Sequence, residues 1–220
     1  MITTATADPI GRPLPALCVD LSPHANNTGV TSADNLSGGA FNIWANTYPR
    51  EELPAPGRGI VLGSVPFRFP APAADGSDNV RCTGQLVALP PGRYDWIYLL
   101  AAAERRTEDI VHLHFADGTS DPEWLRVSDF WPETPGRFGE RESIRCAVLH
   151  YPRHVQPRMG PVIWRERVPV PREDTLVAMR LPDNPAVHLF AATLLAGSPL
   201  AGPPLAGAGE PSQATTGEQR

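Results

Sequence analysis

The fold is decided by one stretch of the chain, RCTGQLVALPPGRYDWIYLLAAAERRTEDIVHLHFADG at residues 81–118. It contains three runs rich in apolar, β-branched and aromatic residues, at 81–89, 95–103 and 110–116, and turn-forming PPGR separates the first two. Runs of this length between turn signals are typical of β-strands. The run at 95–103 is apolar on both faces, so we expect it to be the central strand of a sheet.

Similar segments continue outward from this stretch. They lie at 60–69, 123–130, 143–151, 161–170, 175–181 and 187–195. With 26 prolines and 19 glycines in 220 residues, the chain is interrupted too often for long helices. We therefore predict an all-β fold, an antiparallel jelly-roll-like β-sandwich of about eight strands. The prolines at both ends of segment 161–170 suit a strand end or an edge strand.

The composition shifts near both ends of the chain predict three regions. Residues 1–16 are polar and contain proline, which predicts an N-terminal arm, and residues 17–195 form the sandwich domain. Residues 196–220 are small, polar and rich in Pro and Gly, a composition that cannot bury enough apolar surface to offset the entropy of ordering. We predict a disordered tail there that adds nothing to stability.

Charge and targeting signals exclude some classes of protein. The formal net charge is −5, which argues against a general nucleic-acid-binding protein. The N-terminal MITTATADPIGRPLPAL lacks the basic and apolar regions of a secretory signal, and no segment is apolar for long enough to span a membrane. We expect a cytoplasmic protein whose cysteines, Cys18, Cys82 and Cys146, are free thiols.

Several short segments together resemble a known family. They include Asn26-Asn27-x-Gly29, Pro66-Phe67, Asp78-Asn79-Val80, Gly84-Gln85, Pro91-Gly92-x-Tyr94, Asp117-Gly118 and Leu181-Pro182. Over residues 17–195 the chain resembles the galactose-binding-like jelly-roll β-sandwich domains appended to actinobacterial glycoside hydrolases. The resemblance implies a β-sandwich fold and a carbohydrate-binding role. Those domains usually accompany a catalytic domain and a secretion signal, whereas we expect this chain to have neither.

Two histidines alternate with apolar residues in the segment 110–116. In a strand, His112 and His114 project from one face while Val111, Leu113 and Phe115 project from the other. Two histidines on one strand can chelate a transition metal when a third ligand lies nearby. The glutamate that a cupin places shortly afterwards is missing, so we expect no transition metal on His112 and His114.

Large aromatic residues are the candidate ligand contacts. Trp96 and Tyr98 share one face of the predicted central strand, whereas Trp44 and Trp131 fall in loops. Tryptophan and tyrosine combine an apolar plane with a polar tip, which suits stacking on a sugar or on another ring. The alternative is that some of these side chains, Trp96 in particular, fill the core.

Aspartate and asparagine crowd the predicted turns. The residues are Asp34, Asn35, Asp75, Asp78, Asn79, Asp117, Asp121 and Asp129. Jelly-roll domains often hold a structural calcium with such oxygen ligands. Asp and Asn also favour turns because they hydrogen-bond to their own backbone. Both interpretations stay open, and no other cofactor is expected.

No hydrolase, metalloprotease or nucleotide-binding motif occurs in the sequence. No motif therefore identifies the function, and we compare several classes of protein. Our leading hypothesis is a cofactor-independent cyclase or isomerase of secondary metabolism, acting on a small molecule by shape and hydrogen bonding in an apolar cavity. Catalytic residues would be Tyr98, His112 and His114, and Trp44, Tyr48, Trp96 and Trp131 would bind the ligand. Adjacent strands would present Trp96, Tyr98, His112 and His114 on one face, and Trp44, Tyr48 and Trp131 would close the rim. The alternatives are a non-catalytic carbohydrate-binding module and an assembly protein.

Overall fold

The computed structural model describes residues 15–131 and 135–196, with the backbone alone of residues 6–7 and 13–14. Most of the predicted arm at 1–16, and the predicted tail at 196–220 beyond its first residue, lie outside the described residues. Within the described part of the chain, no helix is long and apolar enough to cross a membrane.

The described elements are strands and two single turns of 3-10 helix. The helical turns are Ser22–His24 and Arg50–Glu52. In chain order the strands are β1 (Thr6–Ala7), β2 (Pro13–Leu14), β3 (Ala16–Val19), β4 (Val30–Thr31), β5 (Tyr48–Pro49), β6 (Gly59–Leu62), β7 (Val65–Arg68), β8 (Val80–Arg81), β9 (Leu86–Gly92), β10 (Tyr94–Ala103), β11 (Thr107–Phe115), β12 (Ser120–Val127), β13 (Arg141–Arg145), β14 (Val148–Tyr151), β15 (His154–Pro157), β16 (Val162–Pro169), β17 (Leu176–Arg180) and β18 (Val187–Ala196).

Two antiparallel sheets form a β-sandwich, as predicted. The six-stranded sheet has the order β13-β16-β10-β18-β3, with β8 pairing the far end of β18. The four-stranded sheet has the order β12-β11-β17-β9. The inner faces of both sheets contribute to one core, which contains Leu99 and Val168 from the first sheet and Leu113 and Met179 from the second.

Strand β10 is central because both of its faces are buried. Ile97 and Leu99 face the four-stranded sheet, whereas Leu100 and Ala102 face the opposite side. β10 pairs β16 on one side and β18 on the other, which confirms the central place predicted for segment 95–103.

A third layer of short strand pairs covers the outer face of the six-stranded sheet. The pairs are β4-β5, β6-β7 and β14-β15. Between this layer and the sheet lies a second core, which is rich in aromatic residues and includes Phe41, Tyr48, Phe67 and Phe190. The sequence did not reveal this layer, because its strands are only two to four residues long.

Four predicted strands differ from the structure. Segment 81–89 contains parts of β8 and β9, and segment 143–151 contains parts of β13 and β14, and in both cases the two strands belong to different sheets. Segment 60–69 is a hairpin of β6 and β7, because Gly63 and Ser64 both have positive φ and form a two-residue turn. Segment 161–170 is not an edge strand, because β16 pairs both β10 and β13. Its prolines still mark its ends, since Pro161 precedes β16 and Pro169 is its last residue.

Candidate functional site

The two predicted catalytic histidines lie on the outer face of the four-stranded sheet. Val111 and Leu113 on β11 point into the core between the sheets, so His112 and His114 point away from it. His112 is exposed and His114 is half-buried. Their register neighbours on β17 are Arg180 and Ala178, and neither position offers a metal ligand.

Trp96 and Tyr98 lie on the outer face of the other sheet. Arg167 covers the Trp96 ring at 4.6 Å, and Arg165 lies 6.0 Å from the centre of the Tyr98 ring. The expectation that these aromatic residues and the two histidines share one face is therefore wrong. The chain crosses from one sheet to the other between β10 and β11, so the inner core separates the two groups.

Tyr48 was expected at the rim of a binding site, and the structure corrects this. Its side chain is 0% exposed and belongs to the second core. Its hydroxyl donates a hydrogen bond to the Val162 carbonyl, 2.9 Å away. Tyr48 is a core residue.

Trp44 and Trp131, the other predicted ligand contacts, do come together. They line a cleft of about 450 Å³ at the edge of the second core. We call this the Trp44–Trp131 cleft; it is lined by Asn42, Trp44, Asn46, Glu104, Arg105, Asp129, Phe130, Trp131 and Tyr151. It combines aromatic surface, two carboxylates, one guanidinium and two amides, the mixture typical of a small-molecule site.

A tight loop presents Trp44 to solvent. The Asn42 side-chain oxygen accepts hydrogen bonds from the backbone N–H groups of Trp44 and Asn46, both at 3.1 Å. Ala45 has φ of 53°, and its N–H is bonded to the Asn42 carbonyl at 2.9 Å. This turn leaves the Trp44 side chain 66% exposed above the cleft.

Asn46 brings an unused donor to the same cleft. The residue is only 1% exposed, and its side-chain oxygen accepts a hydrogen bond from the Asn42 amide at 3.1 Å. Its Nδ2 is buried and has no hydrogen-bond partner among the described residues. Because an unpaired buried donor is costly, an acceptor that reached this atom would be bound favourably.

Asp129 and Trp131 form a local turn at the wall of the cleft. The Asp129 carboxylate accepts the backbone N–H of Trp131 at 2.9 Å, and the Asp129 carbonyl accepts the indole N–H of Trp164 at 3.0 Å. Burial raises the pKa of the Asp129 carboxyl above its ordinary value, although the bond from Trp131 opposes this. Asp129 thus keeps a proton to higher pH than an exposed aspartate does.

The pKa of Glu104 is shifted in the opposite direction, to below its ordinary value. Burial alone would raise its pKa, but the neighbouring His188 and Arg81 outweigh burial and lower it. The Arg81 guanidinium lies 2.7 Å from Glu104 Oε1. The cleft therefore holds two carboxyl groups whose proton affinities have been moved apart, an arrangement associated with acid–base chemistry.

Tyr98 lines a separate polar pocket of about 290 Å³ beside the start of β13. Glu166, which is 7% exposed, lines the same pocket, and its Oε1 has no partner among the described residues. Burial, together with the charge of Glu140, raises the pKa of Glu166 to about 8. The structure thus places Tyr98 in one pocket with Glu166 and away from the histidines.

A separate, apolar groove lies along the edge strand β3. It has a volume of about 500 Å³, and Leu17, Cys18, Ile60 and Tyr94 contribute to its lining. The Tyr94 hydroxyl already donates to the Pro90 carbonyl at 2.8 Å. This groove offers apolar surface and no carboxyl group, so the Trp44–Trp131 cleft is the stronger candidate for chemistry.

The turn aspartates mostly bond to nearby backbone. Asp75 accepts the N–H of Ser77, and Asp117 accepts the N–H of Thr119, each at 2.9 Å. Asp78 accepts the N–H groups of Gly29 and Val30 at 2.9 and 3.0 Å. In the described ranges no three His, Cys, Asp or Glu side chains are grouped as a metal site would require.

Sequence reasoning missed Glu104, Tyr151 and Asn46 as site residues. Glu104 follows an apolar strand as the first residue of the polar ERRTED segment, and Tyr151 ends another strand. Nothing in their local patterns distinguishes them from solvated strand ends, because the third layer that brings them together is not visible in the sequence.

The protein is a two-sheet β-sandwich with a third layer of short strands and a cleft at its side that is lined by aromatic residues and carboxylates. Residues 16–198 match the AziU2-like β-sandwich domain family, and the chain belongs to that family. The family is tied to secondary metabolism. No curated protein matches the chain. The β-sandwich expected from the resemblance is confirmed, but nothing supports a galactose-binding-like domain of glycoside hydrolases.

Proposed function

We propose that this domain binds a small intermediate of secondary metabolism in the Trp44–Trp131 cleft and catalyses its cyclisation or isomerisation without a cofactor. The observation that carries the proposal is the pair of carboxyl groups, Asp129 and Glu104, with pKa values displaced in opposite directions in one cleft. Asp129 would exchange a proton with the ligand, and Glu104 would remain an anion.

The remaining cleft residues would select and hold the ligand. The indoles of Trp44 and Trp131 offer apolar faces for a ring or a folded chain. The unpartnered Asn46 Nδ2 would donate to a ligand carbonyl or hydroxyl, and Arg105 would face a negatively charged or electron-rich group. Such positioning is the main contribution expected of a protein that lacks a nucleophile motif.

A comparison of metabolites tests this proposal. The gene is deleted in the strain that carries it, extracts of parent and mutant are compared by liquid chromatography and mass spectrometry, and the compound that accumulates is incubated with purified protein. Conversion to an isomer, or to a cyclised product, is the expected result. Asp129→Asn should lower the rate by about 10²-fold or more, whereas the control Asp183→Asn, in an exposed loop, should not.

A second function, carbohydrate binding without chemistry, is favoured by one observation. Trp44 is 66% exposed beside an open cleft, as in an aromatic platform for a sugar ring. A glycan array separates the two functions. Binding to a sugar that Trp44→Ala abolishes, with no conversion of the accumulated metabolite, would replace the catalytic proposal.

A further inference from the structure

A buried histidine lies directly behind Glu104. His188 is on β18, in a run that is otherwise apolar apart from Thr193, and it is 0% exposed. The Phe41 ring covers it, with 4.1 Å between ring centres. Its two nitrogens face different groups: Nδ1 lies 2.8 Å from Asn79 Oδ1, and Nε2 lies 3.6 Å from Glu104 Oε1.

The position of the proton on His188 follows from the orientation of Asn79. The Asn79 Nδ2 group faces three acceptors: the carbonyl and side-chain oxygens of Asn27 at 3.1 and 3.0 Å, and Asp78 Oδ1 at 2.9 Å. Asn27 is fixed in turn, because its own Nδ2 donates to the Ala40 carbonyl at 2.8 Å. The oxygen of Asn79 must therefore face His188, and since an amide oxygen only accepts, Nδ1 of His188 carries a hydrogen.

The other nitrogen of His188 is left without a proton. Burial lowers the pKa of His188, and the cation of Arg81 also lowers it, although Glu104 opposes them. The imidazole is thus neutral at pH 7, and its Nε2 has no hydrogen-bond partner among the described residues. Two acceptors, His188 Nε2 and Glu104 Oε1, face each other with a place for one proton between them.

We propose that His188 is a positioning residue that acts through Glu104, keeping an unprotonated Nε2 against that carboxylate so that the pair can hold one proton taken from a ligand in the cleft. The inference rests on the proposed function and extends it. A proton leaving an O–H, N–H or C–H bond of the ligand would pass by way of Glu104 to Nε2 of His188, which leaves Glu104 a carboxylate beside an imidazolium. The pair changes its charge from −1 to 0, and the proton returns to another atom of the product.

Nitrogen NMR of the full chain, labelled with ¹⁵N in its imidazole rings, tests the assignment without any ligand. At pH 7 we expect one histidine with a protonated Nδ1 and an unprotonated Nε2. Its signals should be absent in His188→Phe, and the Nε2 signal should shift in Glu104→Gln but not in Glu108→Gln, an exposed glutamate paired with Arg126. If His188→Phe does not fold, Asn79→Asp identifies the signals, because Asn79 contacts this one imidazole.

A protonated Nε2 at pH 7, or an Nε2 signal that does not shift in Glu104→Gln, would overturn the inference.

Reaction rates measured on the metabolite that accumulates in the deletion strain provide an independent test. Glu104→Gln should lose about 10²-fold or more in rate, and His188→Phe should move the acid limb of the pH–rate profile to lower pH. A folded His188→Phe with the parent profile would also contradict it. Failure of the parent protein to convert the metabolite counts against the proposed function alone, because the NMR result decides the His188 assignment by itself.

Discussion

The hydroxyl of Tyr48 donates to the main-chain oxygen of Val162 across 2.9 Å, and this bond ties the third layer to the six-stranded sheet. Tyr48 is in β5 and Val162 is the first residue of β16. Phe41 and Phe190 meet the Tyr48 ring edge-on, with centres 5.3 and 5.4 Å away. Burial raises the pKa of the hydroxyl well above its ordinary value, so the group remains a donor.

Removing this one donor should destabilise the domain measurably. Tyr48→Phe keeps the ring and deletes the hydroxyl, so we expect the free energy of unfolding to fall by about 1 kcal/mol. Urea denaturation of parent and variant measures it. Trp44→Ala is the control, since its exposed side chain should change stability by about 0.5 kcal/mol or less. Equal stability of Tyr48→Phe and the parent protein would show that the bond adds nothing.

The sandwich itself could be predicted from the sequence because its strands are long. Segment 95–103 is apolar on both faces, and β10 is indeed buried on both. In 110–116 strict alternation placed Val111 and Leu113 in the core and His112 and His114 outside it, as observed. Alternation fixes the face of a strand but not which sheet the strand joins.

That limit explains why part of the predicted site was wrong. Trp96 and His114 were expected on one surface because their strands are consecutive, yet β10 and β11 belong to different sheets. Trp44 and Trp131 were expected to share a rim, and they do line one cleft. Glu104 was missed because its role depends on contacts with Arg81 and His188, which are 23 and 84 residues away in the sequence.

Two tryptophans should differ sharply in their effect on stability. Trp164 is buried and its indole N–H donates to the Asp129 carbonyl, whereas Trp96 is half-buried beneath Arg167 on an outer face. Trp164→Ala should cost about 3–5 kcal/mol of unfolding free energy. Trp96→Ala should cost clearly less, because it opens no enclosed cavity. Thermal and urea melts of both variants check this, and equal losses would contradict the placement of Trp96 at the surface.

Substitutions of the residues that the sequence predicted to be catalytic test which part of the sandwich carries the active site. Tyr98→Phe and His114→Ala alter side chains outside the Trp44–Trp131 cleft. We therefore expect both folded variants to convert the accumulated metabolite at the parent rate. Mass-spectrometric time courses, with Asp129→Asn as the impaired comparison, measure this. A tenfold or greater loss in either variant would move the site to that variant's face of the sandwich.

The buried acid Glu166 should make stability depend on pH. Its pKa is about 8 in the folded protein against 4.5 as the ordinary value, because burial and the charge of Glu140 disfavour the carboxylate. Between those two values the folded protein holds a proton that the unfolded chain has released. Its contribution to stability is therefore fully present below about pH 4.5 and is lost as the pH rises towards 8.

Glu166→Gln should abolish this contribution to the pH dependence. The amide is close in shape to the protonated acid and does not ionise, so parent and variant should have similar stability at pH 5. At pH 9 the variant should be more stable by about 1–4 kcal/mol, since the parent must bury a carboxylate there. Urea denaturation at both pH values, with Glu108→Gln on the exposed surface as the control, measures the difference. A Glu166→Gln variant that is less stable than the parent at pH 9 would mean that the carboxylate has a partner in the folded protein and that its pKa is not raised.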